Sequence, residues 1–97
     1  MVFGKMTEIP KDAFDAIEYP CDYTFKAVCK TVDDLRSEIL IAVNNYFGDQ
    51  RVSRAAERLS KNGKFTAVTF ETKIENRAQL EDVYKVLAAH EHVVMTL

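Results

Sequence analysis

Two histidines, two cysteines and a few adjacent carboxylates are the side chains here that could hold a metal, attack a carbon or carry a proton. His90 and His92 stand two positions apart, so both reach one metal only if Glu91 bulges away, and no cysteine or acidic cluster joins them in sequence. A simpler role is at a helix end, where a protonated His90 complements the negative pole of the helix dipole. Cys21 and Cys29 lack a CxxC spacing, a histidine at ligand spacing and a secretory leader upstream, the pattern of two reduced thiols in a cytoplasmic protein. Asp33, Asp34 and Glu38, like Glu81 and Asp82, fall near helix starts or on outward faces, where carboxylates complement the positive pole. Acid–base catalysis needs two carboxylates converging in a pocket, and the chain shows no such convergence. No catalytic residue, metal or cofactor is expected.

The chain has 97 residues, the length of one domain, and a domain of this size hides roughly 60 to 70% of its unfolded surface without staples. Its 47% hydrophobic and 29% charged content matches a folded protein and not a disordered one. Thirteen basic against fifteen acidic residues give a net charge of -2, so the overall field does not draw in nucleic acid. No apolar run approaches the ~20 residues of a membrane span, and a location in the cytoplasm is expected.

Several elements must position these side chains. Residues 1–19 read as an N-terminal arm, with Pro10 and a short patch, Ala13 to Ile17, too brief for an independent helix. Pro20 opens a domain over residues 20–97. Along Asp22 to Lys30, Tyr23, Phe25, Ala27 and Cys29 alternate with Thr24, Lys26, Val28 and Lys30, the pattern of a strand with one buried side. Thr31 or Asp33 then caps a helix whose apolar stripe is Leu35, Ile39, Val43 and Phe47, and Gly48 ends it in the left-handed region.

Residues Arg51 to Ser60 are ambiguous, since Val52, Ala55, Ala56 and Leu59 have helical spacing. Lys61-Asn62-Gly63-Lys64 is a hairpin signal, with Asn-Gly able to take positive φ at both central positions, and an alternating strand follows from Phe65 to Ile74. A hairpin requires a strand on its other arm, so Val52 to Ser60 is assigned as a strand at a sheet edge, guarded by Arg51, Arg54, Glu57 and Arg58. In the next strand Thr66, Val68, Phe70, Thr72 and Ile74 form the core set. Asn76 with Gln79 forms a capping box for a second helix with the inward stripe Leu80, Val83, Tyr84 and Leu87, ending near His90. Val93, Met95 and Leu97 alternate against Val94 and Thr96 in a last short strand.

The order strand, helix, strand, strand, helix, strand predicts an α+β ferredoxin-like β-α-β-β-α-β plait, a four-stranded antiparallel sheet with both helices on one face. The opposite sheet face has no covering layer. Phosphate chemistry of the acylphosphatase kind needs an arginine early in the chain, whereas the first here is Arg36, inside the first helix; no glycine-rich phosphate loop is present either. RNA-recognition plaits stack bases on paired aromatics, and Phe65 is the lone aromatic among the open positions of the two central strands.

Tyr19-Pro20-Cys21-Asp22-Tyr23 at the first strand, Ser60-Lys61-Asn62-Gly63-Lys64-Phe65 at the hairpin, and the stretch from Leu80 through Tyr84 to Val93-Val94-Met95-Thr96-Leu97 resemble the YbeD-like family of small bacterial proteins. The resemblance covers residues 18–97. It implies a plait similar to ACT-like regulatory domains, no enzymatic activity, and a function unassigned beyond a suggested link to lipoate metabolism. ACT domains bind small effectors at the loop after the first strand, which here is Cys29-Lys30-Thr31-Val32-Asp33 and lacks the usual glycine.

The expected function is that of a non-enzymatic regulatory or binding module; the alternatives are an RNA-binding plait using a basic open sheet face and a metabolite sensor acting through the loop between the first strand and the first helix. Its candidate interaction face is Lys26, Val28, Phe65, Ala67 and Lys73, for a protein partner or a second copy. Lys30, Thr31 and Asp33 form the candidate loop for a small effector. Lys26, Lys30, Lys64 and Lys73 with Arg51, Arg54 and Arg58 all fall on strands or their ends, which predicts a positive sheet side suited to an acidic protein surface or an anionic metabolite.

Overall fold

The computed structural model describes residues 17–97. Six elements follow one another: β1 (Cys21–Lys30), α1 (Leu35–Phe47), β2 (Val52–Leu59), β3 (Phe65–Ile74), α2 (Arg77–Ala89) and β4 (Val93–Thr96). The strands form one antiparallel sheet in the order β2-β3-β1-β4. This is the ferredoxin-like plait predicted from the element order.

Period-two alternation places Phe25, Ala27 and Cys29 of β1 and Thr66, Val68, Phe70, Thr72 and Ile74 of β3 under the helices, where all are buried. Leu35, Ile39 and Val43 of α1 and Leu80, Val83, Tyr84 and Leu87 of α2 close over them in a single apolar cluster. Phe25 stacks on Phe70 at 5.4 Å and meets the edge of Tyr84 at 5.1 Å, so the aromatic centre of the core joins both inner strands to α2. Ile17 and Tyr19 also pack against this cluster, which brings the last residues of the expected arm into the domain; residues 1–16 lie outside the described residues.

The residues with helical spacing between Val52 and Leu59 form a strand at the sheet edge, as the hairpin signal requires. Local propensity there spans only a few tenths of a kcal/mol per residue, which a ladder of cross-strand hydrogen bonds and packing outweighs. The turn differs in detail from the expected Asn-Gly geometry. Only Gly63 has positive φ, at 74°. Asn62 works through its side chain, whose Oδ1 accepts from the Lys64 N–H at 3.0 Å, while Ser60 Oγ accepts from the Phe65 N–H at 3.0 Å.

Two other details depart from the expectation. Asp34 precedes α1 in the left-handed region with φ 59° and makes no side-chain cap, so neither Thr31 nor Asp33 is the capping residue. Thr31 has another use: its hydroxyl lies 2.8 Å from that of Thr66, and its N–H donates to the Lys64 carbonyl at 3.3 Å. In β4, Val93 pairs with Cys29 but Met95 pairs with Val28 and Thr96 with Ala27, an irregularity that ends the expected simple alternation. Val93 and Thr96 therefore face the helices, and Met95 shares the open side with Val28.

α1 ends at Gly48 (φ 78°), whose N–H donates to Asn44 O at 2.8 Å. Asn44 Oδ1 accepts from the N–H groups of Arg51 and Val52 at 2.9 and 3.1 Å, tying the start of β2 to the helix. The Arg51 guanidinium lies 4.3 Å from the Phe47 ring centre and pairs with Asp49 and Glu75. It belongs to this corner of the fold, not to a basic sheet face.

Candidate functional site

The open sheet face is built from the even positions of β1 and the odd positions of β3, arranged in rows across the sheet. The middle row runs Met95, Val28, Ala67, Arg58 from β4 to β2. On one side of it Lys26 faces Thr69, which faces Ala56; on the other Lys30 faces Phe65. Further along, Thr24 faces Glu71 and Asp22 faces Lys73.

A shallow depression of about 330 Å³ lies over the middle row, lined by Lys26, Val28, Arg58, Leu59, Ser60, Phe65, Ala67 and Leu97. Val28 and Ala67 are small and form its floor, while Phe65 and Leu97, 36% and 58% exposed, stand at its margins. No described carboxylate forms an ion pair with Lys26, Lys30 or Arg58. At the opposite end Arg54 lies 3.6 Å from Glu71, and Lys73 sits across from Asp22. One half of the face thus sets two acidic side chains beside two basic ones, and the other is apolar with a rim of cations that no described carboxylate pairs.

The family model described as "Protein of unknown function (DUF493)" matches residues 15–97. The chain belongs to this family. It is 30% identical to a UPF0250 protein of Neisseria meningitidis serogroup A over 95% of this chain and 100% of that protein. A UPF0250 protein of Nitrosomonas europaea is 32% identical over 84% of this chain and 93% of the relative. The solution structure of protein HP0495 from H. pylori superposes with a TM-score of 0.67 and 23% identity, covering 93% of this chain and 96% of that one, which establishes a shared fold. The YbeD-like resemblance seen in the sequence is that of the DUF493/UPF0250 family.

In this family member, Lys26, Val28, Phe65 and Ala67 from the predicted interaction face come together at the depression, whereas Lys73 lies at the opposite end. Arg58, read in the sequence only as one of the cations of a positive sheet side, and Leu97, not singled out for a site, join it. Arg58 was readable as a cation on an edge strand, but its side follows from a bulge: Arg54 takes φ 51°, and the β2–β3 register shifts between Ser53 and Ala56.

The predicted effector loop, Lys30, Thr31 and Asp33, is exposed, with its backbone tied to neighbouring segments. Lys30 is the last residue of β1, its N–H donates to the His92 carbonyl at 2.9 Å, and it shares the open-face row with Phe65. Thr31 is held by both backbone and hydroxyl, and Asp33 is exposed. The adjoining hollow, about 190 Å³ between Val32, Asp34, Leu35, Arg36, Ser37 and Glu57, is below the roughly 300 Å³ at which small-molecule pockets begin.

The groups with displaced titration lie away from the depression. Burial pushes the Cys29 thiol up to about 11. Burial, and then the Tyr23 hydroxyl 3.0 Å away, raise the Tyr84 phenol well above its ordinary value. Ser60, the one hydroxyl lining the depression, is engaged by Phe65 N–H and donates to Asn62 Oδ1 at 3.2 Å, with no adjacent base.

His90 and His92 converge on Glu38 of α1, each Nε2 lying 3.6 and 3.7 Å from the same carboxylate oxygen. His90 Nδ1 accepts from the His92 N–H at 3.2 Å, which in the neutral ring leaves the proton on Nε2. The His90 nitrogen aimed at Glu38 then carries the proton. No group of three metal-ligating side chains occurs among the described residues. Among the described residues, no helix is long and apolar enough to cross a membrane.

Proposed function

We propose that this chain is a non-enzymatic binding module that docks a partner protein on the open side of its sheet. The observation that carries this reading is the division of that face: an apolar floor at Val28 and Ala67 near Lys26, Lys30 and Arg58, which no described carboxylate pairs, beside an end where Arg54 and Lys73 stand next to Glu71 and Asp22. An apolar centre with a charged rim is the anatomy of protein interfaces, and the rim fits an acidic surface. A second copy is a poor occupant, because a two-fold axis through the depression would set the same three cations against themselves. Nucleic acid is disfavoured by the single aromatic, since base stacking on such faces relies on aromatic platforms.

The test compares affinity capture by the wild-type chain, by Lys26→Glu/Arg58→Glu and by Lys73→Glu. Partners retained by Lys73→Glu and lost by the double variant support the reading. Three identical partner sets would overturn it, as would capture abolished equally by both variants while the fold is intact by circular dichroism.

A further inference from the structure

We infer that the element docked on this face is an amphipathic α-helix with acidic flanks, presented by the partner and laid across the strands. This inference rests on the open-face reading above and adds the form of the occupant. β1 and β3, which supply the floor, are the two inner strands, each paired on both sides. Their backbone N–H and C=O groups are already used within the sheet, so this face offers side chains only. An extended peptide laid on it would bury its own backbone groups against Val28 and Ala67 without partners, which costs affinity at each group. Strand addition would require a free strand edge, whereas the floor of the depression lies on the two inner strands. A helix satisfies its backbone internally and presents only side chains, which removes that cost.

The dimensions agree. Four strands at their usual spacing span roughly 14 Å from β4 to β2, and the lining residues reach across all of them, from Leu97 after β4 to Arg58 and Leu59 of β2. Apolar anchors at i, i+4 and i+7 of a helix cover about 10 Å, so two turns fill the trough. Lys26 and Lys30 are two residues to either side of Val28 along β1, roughly 13 Å apart at the backbone, and would flank a helix about 10 Å wide. Arg58 stands at the far end of the row. Cations on both sides and at one end select carboxylates on both flanks of the apolar stripe.

The probe is a synthetic peptide of roughly 18 residues with leucines at helical spacing and glutamates beside them. Its controls are one peptide with a central proline and one with lysines in place of the glutamates. Binding is followed by amide shifts of the isotope-labelled full chain. The glutamate peptide is expected to move Lys26, Val28, Ala67 and Arg58 and their row neighbours, and Lys26→Glu/Arg58→Glu to weaken it by about tenfold. The proline and lysine peptides are expected to bind at least about tenfold less tightly. A proline peptide that binds as well as its helical parent, or a helical peptide that leaves this row unmoved at millimolar concentration, overturns the helix. In either case partner capture that still depends on Lys26 and Arg58 leaves the open-face reading standing. Tighter binding of a single-stranded RNA of about ten nucleotides at the same row would sink both.

Discussion

The two faces of the sheet are made by the same strands yet obey different rules. On β1, Phe25, Ala27 and Cys29 are fully buried, while Lys26, Val28 and Lys30 between them form the open side. The first set is held by shape, with aromatic rings in contact on several sides and both helices above. The second set touches solvent and is constrained only by the strand it sits on. A one-residue step therefore separates a position that determines folding from one free to serve recognition.

The largest test of this contrast is truncation. Phe25→Ala should cost about 3 to 5 kcal/mol, since it opens a cavity between Phe70, Tyr23 and Tyr84. Lys26→Ala, its neighbour, should stay within about 0.5 kcal/mol. Urea midpoints at constant m-value measure both, and similar losses at the two positions would break the comparison.

Cys29 sharpens it next. Its folded thiol titrates near 11 against an ordinary 9.0, so the neutral form is favoured by folding. The stability this represents is fully present below pH 9 and is lost as pH rises through 11, approaching about 2 to 3 kcal/mol. Tyr84, shifted in the same direction, adds to alkaline loss at higher pH. Cys29→Ala should flatten the wild-type decline between pH 9 and 11 in pH-dependent denaturation; an unchanged slope would show that the thiol titrates alike in the folded and unfolded states.

Thr72 probes the opposite kind of exception, a polar atom on the covered face. Its hydroxyl is buried and has no hydrogen-bond partner among the described residues. Thr72→Val keeps the shape and removes the desolvated group, so it should raise the thermal midpoint, by a stability gain of about 1 kcal/mol. A loss would mean the hydroxyl is satisfied in solution by bound water.

An effect of similar size belongs to the hairpin. Gly63 has φ 74°, and a Cβ there would meet only Leu59 Cδ2 at an ordinary 3.6 Å. Gly63→Ala should therefore cost about 1 kcal/mol of backbone strain and no packing penalty, read from the same urea curves.

Much of the architecture can be read in the chain because each local period agrees with the global fold. Helical stripes at Leu35, Ile39 and Val43 and at Leu80, Val83 and Leu87, alternation at Phe25, Ala27 and Cys29, and Gly48 as a helix stop all act within a few residues. The candidate site is legible in part for the same reason: Lys26, Val28, Phe65 and Ala67 lie in regular stretches of inner strands. Arg58 and Leu97 join them, and Arg51 and Lys73 leave them, for reasons that no local window contains.

By itself the sequence determined the order of elements, the split of each strand into a covered and a bare side, and the strand identity of Val52 to Leu59 through its turn. Tertiary structure alone decided the two register shifts, at Arg54 and beside Cys29, and with them which edge residues reach the bare side. Alternation is a property of one strand, whereas a bulge is settled between two strands far apart in the chain, where one additional residue reverses every side chain beyond it.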